Sequence, residues 1–114
     1  MEIPQRHTWL ALLLLGSGFC FGQKVFSVQY ASRADVKVFV TDYASQADLL
    51  VYKEDYASRA GKNNGQWFFT EYESRAEKTI FFTDYASRAD VKMYFVEYRS
   101  RAGWQNREKM HWFY

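Results

Sequence analysis

The sequence predicts a mainly β domain in which short strands alternate with single-turn helical bends, six copies of one unit arranged as two pseudo-symmetric halves. Three observations carry this. The motif Tyr-x-Ser-Arg/Gln-Ala recurs six times, starting at Tyr30, Tyr43, Tyr56, Tyr72, Tyr85 and Tyr98, at spacings of 13, 13, 16, 13 and 13 residues. Large apolar side chains, many of them β-branched or aromatic, fill the stretch before each Tyr and read as a strand. Helical periodicity does not persist anywhere, and a fixed short period marks a repeat architecture. A small α+β or β-solenoid-like domain is the alternative reading.

The first 22 of the 114 residues read as an export signal: Arg6 and His7 precede the apolar run Trp9 to Leu15, and Gly16, Ser17 and Gly18 break it before Cys20-Phe21-Gly22. Cleavage is expected before Gln23. The run is shorter than the roughly 20 apolar residues that span a bilayer, and the bulky Phe19 before Cys20 disfavours a lipoprotein site. The mature chain, 23–114, is then a single cysteine-free domain with His111 as its only histidine. Disulfides cannot staple it, so packing or topology must hold it. Aromatic residues make up 20% of the chain and are expected to dominate the core.

Half one is read as 23–61, the connection as 62–66, half two as 67–103 and a C-terminal tail as 104–114. Each unit carries an aromatic four residues before its Tyr (Phe26, Phe39, Tyr52, Phe68, Phe81, Tyr94) and a large apolar residue one position earlier (Val25, Val38, Val51, Trp67, Ile80, Met93). Adjacent apolar positions predict burial on both faces of the strands. Ser-Arg-Ala-Asp matches a capping box, but a strand-like run follows it, so each copy is read as one tight turn or Ser-anchored bend. Gly61 and Gly103 stand where the other units carry Asp35, Asp48, Glu77 and Asp90, and mark the two half-ends. About seven residues remain for each return, whereas a parallel crossover normally needs a dozen or more. The strands must run antiparallel through compact bends, wind as a tight solenoid, or entangle against ordinary connection rules. The tail ends Met110-His111-Trp112-Phe113-Tyr114, and is expected to cover a sheet edge or add a strand rather than to bind a partner.

With these units, the Trp67-Phe68 strand after the insertion and Trp104 after the second half-end glycine, the chain resembles the 7(1) septoil knot proteins, small bacterial domains. The resemblance covers Gln23 to about Gly103. It implies that the two halves wind around each other into a seven-crossing torus knot, and it implies no activity.

The chemistry-bearing types read as structural. Ser32, Ser45, Ser58, Ser74, Ser87 and Ser100 have no base beside them, so their hydroxyls are expected to bond nearby backbone. Arg33, Arg59, Arg75, Arg88 and Arg101 share one repeat position with Gln46, which points to a planar hydrogen-bonding group rather than to charge. Each unit also has an acid or amide just before its Tyr (Gln29, Asp42, Asp55, Glu71, Asp84, Glu97), four residues from the Arg/Gln, so ion pairs within the unit are expected. Mature Cys is absent and the acids are scattered, so no metal and no cofactor are expected. Gly61-Lys62-Asn63-Asn64-Gly65 lacks phosphate-loop spacing and reads as a turn. Fifteen basic residues against thirteen acidic give a formal charge of +2; no nucleic-acid partner is expected and no stable membrane span after cleavage, and the chain is read as a monomer. The expectation is a periplasmic or secreted, non-enzymatic structural or interaction domain that unfolds slowly. The alternative is a glycan- or anion-binding module using the Arg and Tyr positions.

Overall fold

The computed structural model describes residues 23–114; the leader reading lies outside them. Six strands carry the architecture: β1 (Gln23–Ser27), β2 (Val36–Val40), β3 (Leu49–Lys53), β4 (Gln66–Phe69), β5 (Lys78–Phe82) and β6 (Val91–Phe95). After each comes a three-residue 3-10 turn at the repeated motif: Ala31–Arg33, Ala44–Gln46, Ala57–Arg59, Glu73–Arg75, Ala86–Arg88 and Arg99–Arg101. Tyr30 enters its turn extended (φ −131°) and Ala34 leaves it extended (φ −92°, ψ 143°), so Val36-Lys37-Val38 resumes a strand and the turn does not propagate. The connection is one residue shorter than the sequence reading placed it, because Gln66 already belongs to β4.

The six strands form a closed barrel in the order β4-β1-β5-β2-β6-β3, with β3 returning to β4, and every neighbouring pair is parallel. Each strand of half one therefore lies between two strands of half two. Of the three routes the short period left open, this rules out antiparallel neighbours, and the register explains how so short a connection suffices. Ile80 pairs with Ser27, the last residue of β1, on one side and with Val36, the first of β2, on the other. Met93 likewise joins Val40, at the end of β2, to Leu49, at the start of β3. A new strand thus starts level with the end of the one before, and the bend only steps sideways over one intervening strand, about 10 Å at two strand spacings. It never has to retrace the strand's length. Each step round the barrel advances the register by two residues, as from Val25–Lys78 to Ile80–Val36 and on to Val38–Val91. Summed over the six steps, that stagger is twice the strand number, against equality in a (β/α)8 barrel, so the strands tilt steeply.

Residues at one height line the interior in layers. The middle layer is Val25, Ile80, Val38, Met93, Val51 and Trp67, none more than 1% exposed. Val36, Leu49 and Val91 belong to the layer beneath, which Phe113 closes from below against Trp67, ring centroids 5.0 Å apart. The core is thus largely aliphatic, and the expectation of an aromatic core is corrected. Most of the aromatic side chains point outward instead: Phe26, Phe39, Tyr52, Phe68, Phe81 and Tyr94 are half-buried beneath the bends that cross the barrel wall. A steeply tilted six-stranded barrel has room inside for branched aliphatic side chains, and aromatic rings cover its outer face.

The half-ends meet their own beginnings. The Gln23 N–H donates to the Gly61 carbonyl at 2.7 Å, and Gly103 lies against Gly65 beside Leu50, where β7 (Gly103–Trp104) pairs antiparallel with β3. Gly65 (φ 86°) must be glycine, since a Cβ there would press on the Leu50 carbonyl oxygen. The last five residues add no strand, contrary to expectation: β7 lies before them, and the 3-10 segment Arg107–Phe113 plugs one barrel mouth. Asn63 holds it by donating Nδ2 to the Met110 carbonyl and accepting from Trp104 Nε1.

Candidate binding clefts on the barrel wall

Each bend is fastened at both ends to the strand it crosses. The first crosses β5, with Val28 N–H to Ile80 O and Asp35 N–H to Thr79 O. The second crosses β6, the fourth β1 and the fifth β2, by equivalent pairs from Thr41 and Asp48, Thr70 and Glu77, and Thr83 and Asp90. Three carboxylates return the bond: Asp35 accepts from Thr79 N–H, Asp48 from Lys92 N–H and Asp90 from Lys37 N–H, at 2.8–2.9 Å. Because the stagger holds constant round the barrel, the crossings lie at one height and form a belt.

That belt presents the repeated motif. Tyr30, Tyr43, Tyr56, Tyr72, Tyr85 and Tyr98 are 58–65% exposed, a narrow range that reflects equivalent positions. Arg59, Arg75 and Arg88 lie over Tyr56, Tyr72 and Tyr85 at 5.8, 5.1 and 5.3 Å from the ring centroids. The sequence reading paired these arginines with the acid before each Tyr. Among the described residues the ion pairs formed are Arg33–Glu73, Lys37–Asp90 and Arg99–Glu54, none of which joins those two positions. Gln46, at the Arg position of the second unit, accepts from the Thr41 hydroxyl at 3.3 Å, while Arg33 and Arg101 line clefts described below.

The serine expectation is also corrected. Ser32, Ser45, Ser58, Ser74, Ser87 and Ser100 are all exposed, and none bonds backbone among the described residues. The task falls to Thr41, Thr70 and Thr83, whose hydroxyls accept the N–H of Tyr43, Tyr72 and Tyr85. A Thr two residues before the Tyr in three units was the available signal. The buried Glu54 holds that place in the third unit and takes a bidentate bond from Arg99 Nε and Nη2 at 2.6 and 2.9 Å. Arg99 and Glu73 both stand where other units have Ala, and both pair across halves; complementary departures from the repeat were the sequence clue.

Where a strand's outward aromatic meets its own bend, a cleft opens. The first unit has one of about 240 Å³ lined by Phe26, Gln29, Tyr30, Arg33 and Glu73. The fourth has one of about 340 Å³ lined by Phe68, Phe69, Glu71, Tyr72 and Arg75. The sixth has one of about 140 Å³ lined by Tyr94, Phe95, Glu97, Tyr98 and Arg101. Each combines an aromatic face, a guanidinium and an acid or amide. A further hollow of about 280 Å³ at the plugged mouth is lined by Gln23, Lys62, Asn63, Glu77, Lys78, Phe113 and Tyr114. No cluster of three metal-ligating side chains occurs among the described residues, and no helix there is long and apolar enough to cross a membrane.

A family model described as the 7(1) septoil knot domain matches residues 22–105. No curated protein and no solved structure matches the chain.

Proposed function

The chain belongs to the 7(1) septoil knot domain family, and on that premise we propose that it is an exported, non-enzymatic structural or interaction domain whose threading as a seven-crossing torus knot makes it unfold slowly. One observation carries this reading: no strand of one half neighbours another of the same half, so neither half can leave the barrel without parting all its ladder contacts with the other. Slow unfolding is useful outside the cytoplasm, where proteases act and a chain without disulfides has no covalent staple. The family match covers residues 22–105 and leaves 1–21 outside it. Jumps into denaturant followed by Trp fluorescence test it. Unfolding over hours to days is expected, at the slow end of small-domain rates, about 10⁻⁵ s⁻¹ or below; complete reversible unfolding within seconds sinks the reading.

A second reading is favoured by the repeated clefts: a module that takes glycans or anions, the ring stacking on Tyr and the guanidinium binding the polar edge. Arg33→Gln, Arg75→Gln and Arg101→Gln should each lower affinity for a glycan-array hit with stability intact. Loss of stability with no affinity change rejects it.

A further inference from the structure

The two barrel mouths differ. Phe113 fills one, where Gln23 also begins β1. At the other, the inward side chains of the strand ends are, in order round the rim, Ser27, Phe82, Val40, Phe95, Lys53 and Phe69. This top layer is not a sealed core: Phe82 is 37% and Val40 38% exposed. Phe69 packs against Phe82 and Phe95 with centroids 6.5 and 6.3 Å apart, and Lys53 sets its ammonium over Phe95 and Phe69 at 4.7 and 5.5 Å. Two residues past each strand end, where the chain turns outward, stand Gln29, Asp84, Asp42, Glu97, Asp55 and Glu71, all exposed. Among the described residues none of these five carboxylates lies within ion-pair distance of a cation; Arg75 and Arg101 share the clefts of Glu71 and Glu97 and Arg99 acts on Asp55, whereas Asp42 and Asp84 flank the exposed Val40 and Phe82.

We propose that this mouth is a docking surface for a basic segment of a partner protein that carries an apolar side chain among its cations. Charge selects the occupant. A second copy set mouth to mouth would bring Asp42 and Asp84 beside the exposed Val40 and Phe82 against their own copies, and a nucleic acid or an anionic lipid surface meets the same two carboxylates. A cationic segment is complementary to the rim, and its apolar side chain covers Phe82 and Val40, the uncovered part of the patch. Such docking stands whether or not unfolding is slow.

The test is fluorescence anisotropy of the full chain with three labelled peptides of equal length: lysine-rich with central leucines, all-lysine, and glutamate-rich with the same leucines. The first should bind, weakened by salt, with about tenfold loss in Phe82→Ser and in Asp42→Asn/Asp84→Asn. Val40→Ser gives a second reading of the apolar contact should Phe82→Ser not fold. Equal binding by the all-lysine or the glutamate peptide, affinity untouched by both apolar variants, no binding at all, or self-association of the chain abolished by Phe82→Ser would each overturn the proposal.

Discussion

Arg99 donates from Nε and Nη2 to the two carboxylate oxygens of Glu54, and this fork fastens the bend after β6 onto the end of β3, which it crosses. The Glu54 side chain is fully buried while that of Arg99 is 43% exposed. Removing only Arg99, as Arg99→Ala, strands a buried carboxylate and is expected to cost about 1–3 kcal/mol. The repeat itself supplies the repair. Glu54→Thr with Arg99→Ala recreates the arrangement of the second and fifth units and should recover most of the loss, read as denaturant midpoints.

The same pair sets an acid limit. Hydrogen bonding from Arg99 chiefly, opposed by burial and helped by the charges of Arg99 and Arg59, holds the Glu54 carboxyl below its ordinary 4.5. A depressed native value contributes stability that is complete above the unfolded value and is lost as pH falls through the native one. Thermal stability should therefore fall below pH 4.5 more steeply in the native chain than in Glu54→Thr/Arg99→Ala. Equal acid slopes would rule out this contribution.

Serine and aspartate in the bends should separate cleanly. Ser45→Ala and Ser87→Ala are expected within about 0.5 kcal/mol of the native chain, as for exposed side chains without partners. Asp48→Ala should cost about 1–2 kcal/mol, since it leaves the Lys92 N–H and Asn106 Nδ2 without their acceptor. Urea midpoints decide it.

Gly65 and Gly103, which meet beside Leu50, are not equivalent. Gly65→Ala combines a left-handed backbone with collision against the Leu50 carbonyl, whereas a Cβ at Gly103 (φ 152°) meets open space. Gly103→Ala should cost about 1–3 kcal/mol from backbone strain alone, and Gly65→Ala distinctly more. A reversed order in thermal melts would contradict the account of β3 meeting both ends of half two.

Opening the plugged mouth should matter as much as any core deletion. Phe113→Ala removes a ring packed on Trp67 and Trp104 and should cost about 3–5 kcal/mol. Tyr114→Ala, at an exposed terminal position, should be near neutral by the same calorimetric measurement.

Much of this was legible locally. The strand positions, the single-turn bends and the buried line of Val25, Val38, Val51, Trp67, Ile80 and Met93 follow from pattern. A side chain's burial within a strand depends on alternation, and alternation is written in consecutive residues. The roles of Asp48 and Glu54 were not legible as such, because their partners, Lys92 and Arg99, lie 44 and 45 residues away.

The sequence by itself determined how many units there are, where each bends and which residues of a strand share a face. Only the tertiary structure decided that the strands run parallel, that the halves alternate and that the aromatic rings cover the outside. The physical reason is degeneracy. Six nearly identical strands offer the same hydrogen bonds and similar apolar faces to any neighbour, so local pattern cannot rank the pairings. Closure does: a constant two-residue stagger brings β3 back to β4 in register, and it sets each strand's start beside its predecessor's end, within reach of an eight-residue bend in β1 to β2 and β2 to β3.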